Sequence, residues 1–145
     1  MDAHTLRVLE YEKITARLAG LCASSLAKRR ATALRPRTDA VWVSARLDET
    51  SEARAAIQDL GRPPLGGLTD IGEMIQRAGA SRLLEGFEIL QVTACARVSR
   101  LVGEYFEAAA PMAPGLASLA TRLSTYEELE REAARRLDDD GQVRP

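Results

Sequence analysis

Histidine and lysine are almost missing from this 145-residue sequence: His4 is the one histidine, and Lys13 and Lys28 are the two lysines. A structural zinc site takes four nitrogen or sulfur ligands. One histidine, two cysteines (Cys22 and Cys95) and no CxxC pair fall short of that, so no metal ligand is assigned. A serine–histidine–acid triad could run only through His4, close to the terminus, so no catalytic residue is assigned either. Neither lysine stands in a Gly-Lys-Ser/Thr phosphate cradle, and Gly66-Gly67 makes none, so no cofactor-binding residue follows. The acid pairs Asp48-Glu49 and Glu127-Glu128 occupy neighbouring helical positions, which point apart, and read as solvated faces. Asp138, Asp139 and Asp140 before Gly141 lack the distal glutamate of a calcium loop. No apolar run approaches the roughly 18 residues that span a membrane, and the first ten residues carry charge where a signal peptide would be apolar. The expected setting is therefore the cytoplasm, with both cysteines reduced and buried.

Aromatic residues are also scarce, at 4%, against 46% hydrophobic residues in all. A core poor in rings and rich in Leu, Ala, Val and Ile favours helices over sheets, so the expected fold class is all-α. Tyr11, Ile14, Leu18 and Leu21 step at helical spacing. Ser24-Ser25 offers a cap for a short helix that closes before Arg35-Pro36. Thr38 or Asp39 opens a long helix over about 39–60, with Val43, Leu47, Thr50, Ile57 and Leu60 on one stripe and Gly61 as its stop. Residues 61–69 are a loop, and a short helix around Ile71, Met74 and Ile75 ends at Gly79. A second long helix over about 85–109 carries two apolar stripes, which predicts a place at the centre of the bundle. Pro111 and Pro114 terminate it, and Leu116, Leu119 and Leu123 make another short helix. Ser124 and Glu127 have capping-box spacing at the head of a last helix, over Tyr126, Leu129, Ala133 and Leu137. Residues 1–137 read as one helical domain, and 138–145, without a core pattern, as an exit segment or frayed end.

Net charge is −1, yet it is unevenly spread. Residues 1–37 hold eight Lys/Arg against three Asp/Glu, and residues 124–140 hold seven Asp/Glu against three Arg. Lys28, Arg29, Arg30, Arg35 and Arg37 fall within ten residues, with no acid among them. Phosphate contact would suit them, and so would an ordinary charged helix face. The segment has no aromatic residue, which argues against base reading. Trp42, off the main stripe of the long helix, reads first as a core residue, and otherwise as the anchor of a second helix layer or of a partner surface.

Several phrases, in order along the chain, carry a resemblance. They are LEYEKI at 9–14, LRPRTD at 34–39, LDETSEA at 47–53, PLGGLTDI at 64–71 and LDDDGQVRP at 137–145. Together they are similar to the N-terminal part of bacterial MutS-type ATPases of the second subfamily. That resemblance implies a helical array of the MutS core and lever kind, and a chain that is an N-terminal piece of a longer protein. It implies a parent that binds ATP and Mg, dimerises, and has a Smr-type endonuclease domain. Branched DNA and the ribosome are the partners it implies, with suppression of homologous recombination and ribosome rescue as roles. Implied for the piece itself are no enzyme activity, no cofactor, no membrane contact, and a structural or dimerising task. An independent nucleic-acid-binding module using residues 28–37 is the alternative.

Overall fold

A computed structural model of the chain describes residues 3–145. Among the described residues eight helices follow one another: α1 Ala3–Val8, α2 Tyr11–Gly20, α3 Ser25–Thr32, α4 Ala40–Leu60, α5 Gly72–Gly79, α6 Gly86–Ala108, α7 Pro114–Ala120 and α8 Glu127–Arg136. No strand occurs among the described residues; the one β-type pairing is an isolated antiparallel bridge, Leu137 to Val143. The fold is all-α, as the composition predicts.

Local chemistry sets most boundaries. The Ser24 hydroxyl accepts from the Ala27 amide at 3.2 Å and opens α3. The Asp39 carboxylate accepts from the Trp42 amide at 3.0 Å and opens α4. Gly61, at φ 80°, ends α4 in a conformation that side chains avoid. Glu85 and Glu88 form a reciprocal capping box at the head of α6, which the sequence reading missed. The box expected at Ser124 and Glu127 does not form. Glu127 is the first residue of α8, too early to reach back, and Tyr126 caps it without a side-chain bond. The Ser124 carbonyl is instead held by the Ser99 hydroxyl of α6 at 2.8 Å. Pro114 starts α7 and does not merely end the helix before it: at a first helical position its missing N–H costs nothing.

The helices form two groups. In the first, α1 packs on α2 and α2 on α3. In the second, α6 is central and packs on both α7 and α8, while α4 lies against α7. Where α4, α6 and α7 meet, Ala56, Ala109 and Ala113 are fully buried, ringed by Tyr105, Phe106, Met112 and Leu116. Alanines let the backbones approach closely there. The Glu52 carboxylate fixes the junction by accepting from the Gly115 and Leu116 amides at 3.1 and 2.8 Å. The Tyr105 hydroxyl donates to the Gly61 carbonyl at 2.6 Å and ties the end of α4 to α6.

Residues 137–144 are folded, not frayed. Leu137 is buried, the Asp138 amide donates to the Gln142 carbonyl at 2.9 Å, and the Arg144 amide to the Arg136 carbonyl at 2.8 Å. This turn lies on the head of α6. A Cβ at Gly86 would collide with the Gly141 carbonyl, and one at Gly141 would stand 2.6 Å from the Phe87 amide nitrogen.

The array is open. Its accessible surface is 10812 Å², where a compact chain of this mass would expose about 7,300 Å². Beyond the three alanines the buried side chains are few, and large apolar ones face out: Val41 is 83% exposed and Leu47 62%. The stripe expected on α4 is not its packing face: Leu47, Thr50, Ile57 and Leu60 are exposed, and among the described residues the helix packs through Glu52 and Ala56. Cys95 is buried as expected; Cys22 is only half-buried, and both are free thiols. No helix among the described residues is long and apolar enough to cross a membrane.

Candidate nucleic-acid interface

The five cations of the basic segment divide by position. Lys28, Arg29 and Arg30 lie side by side on α3 and fan out around it, because successive helical residues turn by about 100°. The Arg29 guanidinium reaches Asp70 at 2.8 Å. The Gly72 amide, and after it Arg29, hold the Asp70 carboxyl below its ordinary range. Among the described residues this is the one ion pair that ties the first helix group to the rest. Arg29 thus has a structural partner.

Arg35 turns back on its own helix, donating to the Thr32 and Leu34 carbonyls at 3.4 and 2.8 Å. A cation is favourable there, since these carbonyls lie at the negative end of α3. Arg35 also lines a cleft of about 480 Å³ between α1, α2 and α3, with Arg7 and Tyr11 on its walls and Glu12 as its acid. Lys28 and Arg30 are exposed and, among the described residues, no acid pairs with either.

Arg37 has a different neighbour. Its guanidinium lies 4.9 Å from the centre of the Trp42 ring, and that of Arg46 lies 5.9 Å from the same ring. Both distances suit attraction between a cation and the ring face. Trp42 is 38% exposed, so it is not the core residue expected of it. The Asp39 cap explains the arrangement: it turns the chain so that Arg37, two residues before the cap, comes over the first turn of α4. Arg46, one turn after Trp42 on the same helix face, also pairs with Glu49.

The five residues therefore do not make one patch. One is a structural pair, one a helix-end contact, one a partner of tryptophan, and two are free cations. The sequence reading named Trp42 without joining it to the basic segment, and missed Arg46. The signal for both was present: an N-cap at Asp39 with Trp42 at the third helical position and Arg46 four residues on. Unpaired cations can hold phosphates, and an exposed ring between guanidinium groups can stack. Among the described residues no three His, Cys, Asp or Glu side chains converge as a metal-ligand set.

No protein-family model matches the chain. Individual relatives match it almost end to end. It is 38% identical over 144 residues to the endonuclease MutS2 of Symbiobacterium thermophilum, covering 99% of this chain and 18% of that protein. It is 34% identical over 146 residues to the endonuclease MutS2 of Geobacillus thermodenitrificans, covering 99% and 19%. It is 32% identical over 145 residues to the endonuclease MutS2 of a Clostridium botulinum strain, covering 99% and 18%. The chain spans less than a fifth of the length of these relatives. With 99% of its residues aligned to proteins that share one name, this chain belongs to the MutS2 family.

Proposed function

We propose that this chain is the non-catalytic N-terminal structural and dimerisation module of a MutS2-type, ATP-dependent endonuclease that acts on branched DNA. In that reading ATP, Mg and the nuclease chemistry belong to other parts of the longer protein. Suppression of homologous recombination and rescue of stalled ribosomes are its roles. The observation that carries the reading is the openness of the array. A chain that leaves 10812 Å² exposed, about half as much again as a compact protein of its mass, has apolar faces made to be covered. A standard interface buries only about 800 Å² per partner, so the surplus is ample for a second copy and for the rest of a long protein.

Light scattering on the purified chain tests the dimerising part. The expected result is twice the monomer mass at high concentration, falling towards the monomer on dilution. A monomer at every concentration rejects it. Cleavage of branched DNA by this chain alone would reject the non-catalytic part.

A second reading, direct nucleic-acid contact through residues 28–37, is favoured by Lys28 and Arg30, which pair with no acid among the described residues. Reversing both to glutamate is expected to weaken binding and to flatten the slope of log affinity against log salt by about two, one for each lost phosphate contact. An unchanged slope would remove those two residues from the interface.

A further inference from the structure

We propose that Trp42, framed by Arg37 and Arg46, is a stacking platform for an unpaired base of single-stranded nucleic acid. The proposal rests on the nucleic-acid reading above and adds a base contact to its phosphate contacts. Trp42 is the chain's only tryptophan, and 38% of it faces solvent although tryptophan is usually well buried. Two guanidinium groups lie over the ring, at 4.9 and 5.9 Å from its centre, and set positive charge beside it; a base would stack there by displacing one of them. Base on aromatic ring, with arginine alongside, is how proteins hold single strands without choosing a sequence.

The surroundings favour that ligand over a protein. From residue 28 to residue 46 there are six cations and a single acid, Asp39; Arg29 is paired with Asp70 and Arg46 with Glu49, and the other four pair with no acid among the described residues. The Asp39 carboxylate is occupied by the Trp42 amide at the head of α4. An apolar protein surface laid on this ring would strip water from Arg37, which pairs with no acid among the described residues. A phosphate backbone supplies the missing anions. Residues 33–39, between α3 and α4, are exposed throughout and include Arg35 and Arg37, so a strand passing the ring meets cations on the linker as well.

Because the tryptophan is unique, its fluorescence reports on the site directly. The experiment titrates the chain with a short oligo(dT) strand and, separately, with a duplex of the same length. It follows tryptophan emission and the anisotropy of a labelled strand together. The single strand is expected to quench emission strongly and the duplex to leave it nearly unchanged. Trp42→Ala should weaken single-strand binding about tenfold, within the range for loss of one base stack. Trp42→Phe should keep most of the affinity, with circular dichroism confirming that both variants remain helical. Strand binding with unmoved emission, and equal affinity for Trp42→Ala, would overturn the platform while leaving the phosphate reading intact. No single-strand binding at low salt would overturn both. Emission that shifts with chain concentration alone, without nucleic acid, would assign the ring to contact between copies and overturn the proposal.

Discussion

The two helix groups are fastened in opposite ways. The group around α6 is closed by side chains that reach between elements. Arg77 from α5 pairs with Glu88 of α6, and Arg100 of α6 holds Glu130 of α8 at 3.0 Å. Cys95, Ala96 and Val98 are buried along one stretch of α6, and the 137–144 turn sits on its head. In the group of α1 to α3, a single residue is buried in α2 and another in α3, Thr15 and Ala31, with Ser24 between them. Among the described residues one ion pair, Arg29 to Asp70, links it to the rest. The α6 group is joined helix to helix by ion pairs. The α1–α3 group leaves Lys28 and Arg30 without an acid among the described residues and, with the start of α4, puts Trp42 at the surface. A rigid frame carrying a lightly fastened, cationic end is the arrangement a binding module needs, since free charges are available only where the fold does not consume them.

The contrast is sharpest at Gly86, where the frame is tightest. An alanine there would drive its methyl group into the Gly141 carbonyl, a backbone atom that cannot swing aside. Gly86→Ala is expected to cost about 3 kcal/mol, the upper end of overpacking losses, or to detach the 137–144 turn. Urea unfolding measures the first outcome and faster proteolysis near residue 140 the second. A variant as stable and as resistant as the parent would mean that the turn is not docked. Gly20→Ala in α2, whose Cβ would meet nothing within 4 Å, is the control. It is expected to stabilise by a few tenths of a kcal/mol, at a position of ordinary helical geometry.

Acid should loosen the two groups unequally. The Glu85 amide, and after it Arg77, hold the Glu88 carboxyl below its ordinary value of 4.5. Arg100 does the same for Glu130. Between the lowered folded value and 4.5 the unfolded chain binds more protons than the folded one, so stability falls as pH falls. The contribution is complete above the ordinary glutamate range and is lost as pH passes down through the lowered folded value. Protection of amides in α6 and α8, corrected for the slower intrinsic exchange in acid, should therefore fall as the solution is acidified below 4.5, and fall more than that of α2. Glu88→Gln should flatten this response. An equal loss of protection in α2 and α6 would show that these pairs do not govern it.

How much of this was legible depended on how local the cause was. The long helices came out at Ala40–Leu60 and Gly86–Ala108, within one residue of the expected 39–60 and 85–109, because caps, glycine stops and prolines act over a few residues. The central place of α6 was legible from its two apolar stripes. The openness was not: a stripe such as Val43, Leu47 and Ile57 shows which face is apolar, not whether the chain holds anything to cover it. The candidate site was half legible. Five cations stood out in the sequence, but their sorting into free and engaged depended on Asp70, forty residues away, and on the turn at Asp39. The fold of residues 137–144 escaped because it rests on a close backbone approach between two glycines, which carries no hydrophobic pattern.

The smallest effect separates two serines that the sequence presents alike, one in each group. Both Ser24 and Ser124 precede a helix. Ser24 is 5% exposed, and its hydroxyl accepts the Ala27 amide, one of the donors α3 leaves without a partner. Ser124 is exposed, lies three residues before α8, and contributes a carbonyl, which any residue would supply. Ser24→Ala should therefore cost about 1 kcal/mol, the usual loss for a helix cap, and Ser124→Ala less than about 0.5 kcal/mol, as surface changes do. Matched urea curves decide it. The result bears on the cationic end directly, because α3 carries Lys28 and Arg30. If α3 frays when its cap is lost, nucleic-acid affinity should fall with Ser24→Ala and stay level with Ser124→Ala. Equal stability losses would mean that the loosely fastened group does not depend on its caps, and that something other than local chemistry holds α3 in place.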